Sequence, residues 1–235
     1  MDNIFSRTEA LLGADKVEKL RNSRVALFGL GGVGSAAFEA LLRSGVGHID
    51  VFDHDSVSET NLNRQILATR STLGILKTEA AVLRARDICG STKITAHSMF
   101  YLPENADEID MAEFDFVIDA VDTVTAKLEI ISRAIKSGTP VISCMGTGNK
   151  MDITSLKVTD IEKTEGCPLA RVMRKELRAR GIEHLLVVFS KEKPYKEADT
   201  GELKGNRPAP ASAIFVPAAA GLLLAEQAVK HIINR

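Results

Sequence analysis

The chain has 235 residues, 45% of them hydrophobic, which is enough for one large domain, or a domain with an appendage, around a well-buried core. Thirty Lys and Arg against 31 Asp and Glu leave a net charge of −1, so overall charge selects no partner and nucleic-acid binding would need a local patch. Three widely spaced cysteines, Cys89, Cys144 and Cys167, make neither a disulfide framework nor a paired zinc site, and fit a reducing cytoplasm.

In chain order, the opening MDNIFSRTEALLG has no basic start before an apolar core, and no run of 18 apolar residues follows. Neither an export signal nor a membrane span is expected, and a cytoplasmic location is. Short apolar runs at 25–29 (VALFG), 49–53 (IDVFD), 94–98 (ITAHS), 115–121 (DFVIDAV) and 140–145 (PVISCM) predict strands. Between them VGSAAFEALLRSG spaces Val33, Ala37, Ala40 and Leu41 on one helical face and stops at Gly45. ILKTEAAVLRARDI and TAKLEIISRAIKSG read as helices too, the second ending at Gly138 and Pro140. The alternation predicts an α/β fold: a doubly wound, Rossmann-like, mostly parallel sheet with helices on both faces, running to about residue 148.

Beyond it, MDITSLKVTDI alternates imperfectly and predicts a further strand, and PLARVMRKELRARG predicts a helix over 168–180, opened by Pro168 and closed by Gly181. HLLVVFS predicts another strand. Residues 191–212 hold three of the seven prolines and many charges, the composition of a long loop or partly disordered segment, and long loops in compact domains often serve as lids. PAAAGLLLAEQAVKHIINR closes the chain as an apolar helix. Residues 1–235 are read as a single domain, a nucleotide-binding core over 1–148 with a C-terminal extension over 149–235.

The first strand runs into a G-x-G-G-x-G turn formed by Gly29, Gly31, Gly32 and Gly34. Missing side chains there let backbone N–H groups approach phosphates at a helix N-terminus. Asp53, 24 residues after Gly29 at the end of the second strand, is placed to accept hydrogen bonds from a ribose. To this point an NAD-dependent and an ATP-dependent enzyme explain the sequence equally well. DHDSVSETNLNRQ and the following Lys77 then bring Asn61, Arg64 and Lys77 toward the same strand ends. Hydride transfer has no evident need for them. Adenylate transfer does, because attack on the α-phosphorus of ATP builds charge that Arg and Lys stabilise. Magnesium would offset the triphosphate charge, and IDAVD offers Asp119 and Asp122 as hard oxygen ligands. Each residue alone has an ordinary alternative as loop cap, helix cap or solvated charge. Their convergence favours the nucleotide.

G-x-G-G-x-G-S (Gly29 to Ser35), D-x-D-x-V (Asp53 to Val57), N-L-N-R-Q (Asn61 to Gln65), G-x-x-K (Gly74 to Lys77) and D-A-x-D (Asp119 to Asp122) together resemble the ubiquitin-activating, or ThiF/MoeB-type, adenylating superfamily. The later segments GTGNKMDITSLKVTDI, CPLARVMRKELRARGI, VVFSKEKP and PASAIFVPAAAGLLLA resemble its branch of tRNA threonylcarbamoyladenosine dehydratases. The resemblance implies ATP-dependent cyclisation of a modified adenosine at tRNA position 37, with ATP and Mg2+ as cofactors and AMP and pyrophosphate as products. It further implies a homodimer and a sulfur-relay protein partner. By motif, Asp53 resembles the ribose ligand, Asn61, Arg64 and Lys77 the phosphate contacts, and Asp122 the magnesium-associated carboxylate, with Asp55 of the same motif counted among the nucleotide-binding residues. Arg7, in SRTEALLG, resembles an arginine delivered into the partner subunit's ATP site.

In the 168–180 helix, Arg171, Arg174, Lys175 and Arg178 fall at i, i+3, i+4 and i+7, with Leu169, Val172, Met173 and Leu177 on a different, packing face. For an isolated helix such a stripe is ordinarily a solvated face; beside a tRNA-directed resemblance it predicts a phosphate-binding ridge. Lys191, Lys193, Lys196, Lys204 and Arg207 in the long loop are expected to add to it. Cys167, before Pro168, sits where a helix dipole favours a thiolate, but cyclisation has its nucleophile within the substrate, so a structural role is expected. Cys89 and Cys144 read as packing residues, and the five histidines show no metal-ligand spacing. Three rivals stand beside this reading. A sulfur-carrier activator, adenylating the C-terminal glycine of a ubiquitin-like protein, would commonly carry two C-x-x-C pairs. An NAD-dependent oxidoreductase needs only the glycine turn and Asp53. A scaffold that merely binds nucleotide has no need of Arg64, Lys77 and Asp122 together.

Overall fold

The computed structural model describes residues 4–195 and 210–235, together with the backbone of Leu203–Lys204 and Arg207–Pro208. Two short helices, α1 (Ser6–Leu12) and α2 (Ala14–Arg21), precede the sheet. The apolar runs then form β1 (Arg24–Phe28), β2 (His48–Phe52), β3 (Lys93–His97), β4 (Phe116–Asp119) and β5 (Val141–Cys144). Helices α3 (Gly32–Ser44), α4 (Lys77–Ile88) and α5 (Val124–Lys136) cross between them, as parallel pairing requires. The extension adds β6 (Leu156–Asp160), α6 (Pro168–Arg178), β7 (Leu186–Ser190) and α7 (Phe215–Ile233). A small antiparallel pair, β8 (Leu203–Lys204) with β9 (Arg207–Pro208), lies inside the segment expected to be plain loop.

The seven-stranded sheet has the order β3-β2-β1-β4-β5-β7-β6. Strands β1 to β5 and β7 are parallel, and β6 runs against β7, pairing Leu156 with Ser190 and Asp160 with Leu186. The imperfect alternation in 153–161 has its cause here, since an edge strand is covered incompletely and β6 is mostly half-buried. Central β4 is buried at every position.

Apolar α7 is 19 residues long and by length and composition could cross a membrane, yet half of it is buried within the domain. It lies so close to α3 that a Cβ on Gly221 would stand 2.2 Å from the carbonyl oxygen of Val33. Only glycine permits that approach, and it carries the start of α7 onto the glycine turn.

Two ionic clusters are sealed into the sheet. Asp50 on β2 receives His97 Nε2 at 2.9 Å and Arg24 Nε at 2.8 Å, with His48 Nε2 at 3.1 Å. Burial pushes its carboxyl up, but the hydrogen bonds from His97 and Arg24 outweigh that and hold it at about 2. Asp119, fully buried at the end of β4, pairs with the equally buried Lys127 of α5 at 2.8 Å.

Candidate active site

The strand order reverses between β1 and β4, and at that switch point, outside the carboxyl ends of the strands, lies a cavity of about 870 Å³. Its β1 edge is the glycine turn. Gly29 has φ +89°, and a Cβ on Gly34 would sit 1.7 Å from the Gly29 carbonyl oxygen. The turn therefore closes on itself, and Gly34 supports the cavity without lining it. Gly31 faces open space, while a Cβ on Gly32 would stand 3.1 Å from Pro217 at the start of α7. The second of the adjacent glycines thus makes room for α7.

Asp53 is fixed by the loops around it. Its Oδ2 accepts from Leu30 N at 2.7 Å and its Oδ1 from Asp55 N at 2.9 Å, while the carboxylate lines the cavity. Capping the loop and lining the cavity are one arrangement. Lys77 opens α4, buried, with Nζ 2.7 Å from Asp55 Oδ2 and 3.9 Å from Asp53 Oδ1. Buried Asn61 accepts from Ser58 N at 3.2 Å, and Arg64 Nη1 donates to Thr60 O at 2.7 Å and Asn63 Oδ1 at 2.9 Å. The turn that carries both is tied to α3 by Ile66 N donating to Ser35 Oγ at 3.0 Å, which gives the serine after the glycines its use.

Of the expected nucleotide residues, Gly29, Gly31, Gly32, Asp53, Asp55, Asn61, Arg64, Lys77 and Asp122 line this one cavity. Arg7 is exposed on α1 and is not among the lining residues. Asp119 is corrected: its Oδ2 accepts from Ser143 Oγ at 2.6 Å and pairs with Lys127, so it is a structural anion with no face toward a metal. Asp122, between β4 and α5, is exposed and lines the cavity. The histidines are corrected in one respect. His54 brings a ligand atom within 4.8 Å of those of Asp53 and Asp55, but the ammonium of Lys77 already occupies that anionic corner.

The basic stripe is also revised. Arg174 is half-buried and donates to the Thr164 carbonyl at 2.8 Å and to the Thr164 hydroxyl, and Arg178 pairs with Glu162. Arg171 and Lys175 are exposed, so the ridge narrows to these two. Val172, expected to pack, is 43% exposed, whereas Ala170, Met173 and Leu177 are buried. Lys196 and the side chains of Lys204 and Arg207 lie outside the described residues. All three cysteines are buried, and Cys167 is not among the cavity-lining residues.

Sequence reasoning missed the far wall. Gly146, Thr147 and Gly148, just beyond β5, line the cavity with Pro210, Ser212 and Pro217. G-T-G at the carboxyl end of a parallel strand was a readable signal; Ser212 and Pro217 arrive from distant sequence and left none. The cavity therefore runs from Asp53 beyond β2, past β1 and β4, to the β5 wall, three interstrand steps or about 14 Å.

A glycine turn at a switch point, with a fixed carboxylate and a buried lysine beside it, defines a nucleotide-binding α/β protein equipped for phosphate chemistry. The ThiF family pattern matches residues 5–235, and the chain belongs to that family. It is similar to tRNA threonylcarbamoyladenosine dehydratase of Bacillus subtilis, 40% identical over 240 residues that cover 98% of this chain and 94% of that protein. It is similar over less of its length to the adenylyltransferase and sulfurtransferase uba4 of Ogataea parapolymorpha, 34% identical over 148 residues, 63% of this chain and 37% of that protein. Its structure resembles that of Escherichia coli tRNA N6-threonylcarbamoyladenosine dehydratase in complex with ATP, with a TM-score of 0.88 and 31% identity, covering 98% of this chain and 93% of that one.

Proposed function

We propose that the protein is an ATP-dependent enzyme that adenylates the carboxylate of threonylcarbamoyladenosine in tRNA and closes it to a ring. The observation that carries this reading is the extent of the likeness. Similarity to the dehydratase spans 98% of the chain, including the β5 wall and the extension, whereas similarity to the sulfurtransferase spans 63%.

The chain's own residues divide the work along the cavity. Asp53, held by Leu30 and Asp55, accepts from the ribose, and the glycine turn at the start of α3 presents its N–H groups to phosphate. Arg64 and Lys77 supply positive charge where the pentavalent phosphorus gathers negative charge. A carboxylate oxygen attacks the α-phosphorus and the bond to pyrophosphate breaks. A ureido atom of the same nucleoside then attacks the acyl carbon, AMP leaves with the former carboxylate oxygen, and a proton goes to solvent. The net change is loss of water from the nucleoside. Asp122 fits a magnesium ion as an exposed hard ligand beside the phosphate end, where the ion would offset triphosphate charge.

Exposed Arg171 and Lys175 are assigned to tRNA phosphates. Arg7, exposed and not among the residues lining its own cavity, suits delivery into a second copy of the chain. The deciding experiment incubates the protein with Mg-ATP and tRNA bearing threonylcarbamoyladenosine and weighs the digested nucleosides. Loss of one water with stoichiometric AMP is expected; an unchanged nucleoside overturns the reading.

A further inference from the structure

Three lysines among the described residues are buried: Lys77, Lys127 and Lys150. Lys77 has Asp55 and Lys127 has Asp119 as ion-pair partners. Lys150, 3% exposed, has no carboxylate within 4.0 Å among the described residues. Its Nζ donates to the carbonyl of Gly146 at 3.0 Å and to that of Ser190 at 2.9 Å. Gly146 lines the cavity and Ser190 ends β7, so one ammonium clamps the β5 wall to the neighbouring strand.

Leaving a buried ammonium without a counter-ion is costly, and carbonyl dipoles recover part of that cost. The groups facing it are the thiols of Cys167 at the start of α6 and Cys144 on β5, and the carboxylate of Glu192 beyond β7. Glu192 is itself occupied, accepting from Met151 N at 3.1 Å and Asp152 N at 2.9 Å. Burial pushes the lysine down from its ordinary value despite these neighbours. An anion in the adjoining cavity would complete the balance. By strand order, the β5 wall is the end farthest from Asp53, the end that receives the group being activated.

We propose that Lys150 is a positioning residue that fixes the Gly146–Gly148 wall and lends it the positive potential against which a substrate carboxylate and its acyl adenylate are held. This rests on the reading that the cavity adenylates a carboxylate, though not on the carboxylate belonging to tRNA. Lys150 touches no reacting atom; it acts through Gly146.

The test compares two ligands, AMP and the acyl-adenylate mimic 5′-O-(N-acetylsulfamoyl)adenosine, by calorimetry on the full chain. Lys150→Met is expected to weaken the mimic about tenfold while changing AMP less than about twofold, the scale of one charge at this depth. Lys150→Arg is expected to restore most of the loss and Lys150→Gln little of it. On the unaltered protein, which removes any question of folding, the preference for the mimic over AMP should fall as pH rises through the depressed lysine value. Equal weakening of both ligands, or a preference indifferent to pH and to Lys150→Gln, overturns the proposal. A protein that binds the mimic in this Lys150-dependent way but leaves tRNA unmodified would overturn the tRNA reading and keep this one.

Discussion

The side-chain amide of Asn63 donates to the backbone carbonyl of Ser212 at 2.9 Å, joining the phosphate-side turn to a segment 149 positions away. The carbonyl of the adjacent Ala211 accepts from Asn149 N at 2.7 Å, so this segment bridges two walls of the cavity away from Asp53. Asn63→Ala removes this exposed hydrogen bond, worth about 1 kcal/mol, together with the one Asn63 Oδ1 accepts from Arg64, whose guanidinium stays tied to the Thr60 carbonyl. We expect KM for tRNA to rise about fivefold and the Kd of ATP to stay within about twofold. Steady-state kinetics with each substrate varied in turn checks this, and parallel changes in both would reject the bridge as a substrate-side element.

Arg64 and Lys77 are assigned to charge that exists fully only in the transition state. Arg64→Ala and Lys77→Met should each lower kcat by about a hundredfold or more, with little change in thermal midpoint. The partner that Lys77 leaves behind, Asp55, is half exposed and can be hydrated. Single-turnover formation of AMP in the two variants, beside a melting curve, separates lost chemistry from lost fold.

Asp119 and Asp122 stand three positions apart and should respond in opposite ways. Lys127→Met leaves Asp119 buried without its cation and is expected to cost about 3–5 kcal/mol of stability. Asp122→Asn, at an exposed position, should leave stability within about 0.5 kcal/mol and raise the magnesium concentration needed for half-maximal rate. Urea unfolding and a magnesium titration read the two effects; a stability loss from Asp122→Asn as large as that from Lys127→Met would void the distinction.

Asp50 sets an acid limit on the fold. Its folded value of about 2 lies below that of an unfolded carboxyl, so its contribution is complete above about pH 4 and is lost as pH falls toward 2. The difference corresponds to about 2 kcal/mol. Unfolding free energies at pH 6 and pH 3 should differ less in Asp50→Asn than in the unaltered chain. An identical drop in both would show that other carboxylates carry the acid transition.

Most of this architecture was legible because it is local. Strand and helix periods, the stop at Gly45 and the glycine turn are written within a few residues of where they act, and Asp53, Arg64 and Lys77 follow from strand ends meeting at the switch point. What stayed hidden depends on partners distant in sequence. Asp119 reads as a ligand until Lys127, one helix turn into α5, is seen to neutralise it, and Arg174 reads as surface charge until Thr164 takes it up. The helices at 6–12 and 14–21 lie in a stretch that sequence reasoning had examined for export signals and for Arg7, without predicting any element there.

The contact of Gly221 with Val33 also bears on how the protein is made. A ribosome releases the glycine turn long before it reaches α7, so the nascent chain carries the cradle for phosphate while Pro217, its last wall, does not yet exist. Buried positions of α3 such as Ala36 and Ala37, which α7 covers, face solvent or a chaperone throughout that interval. A product cut short before α7 is therefore expected to leave that face of α3 open and to be cleared by proteolysis.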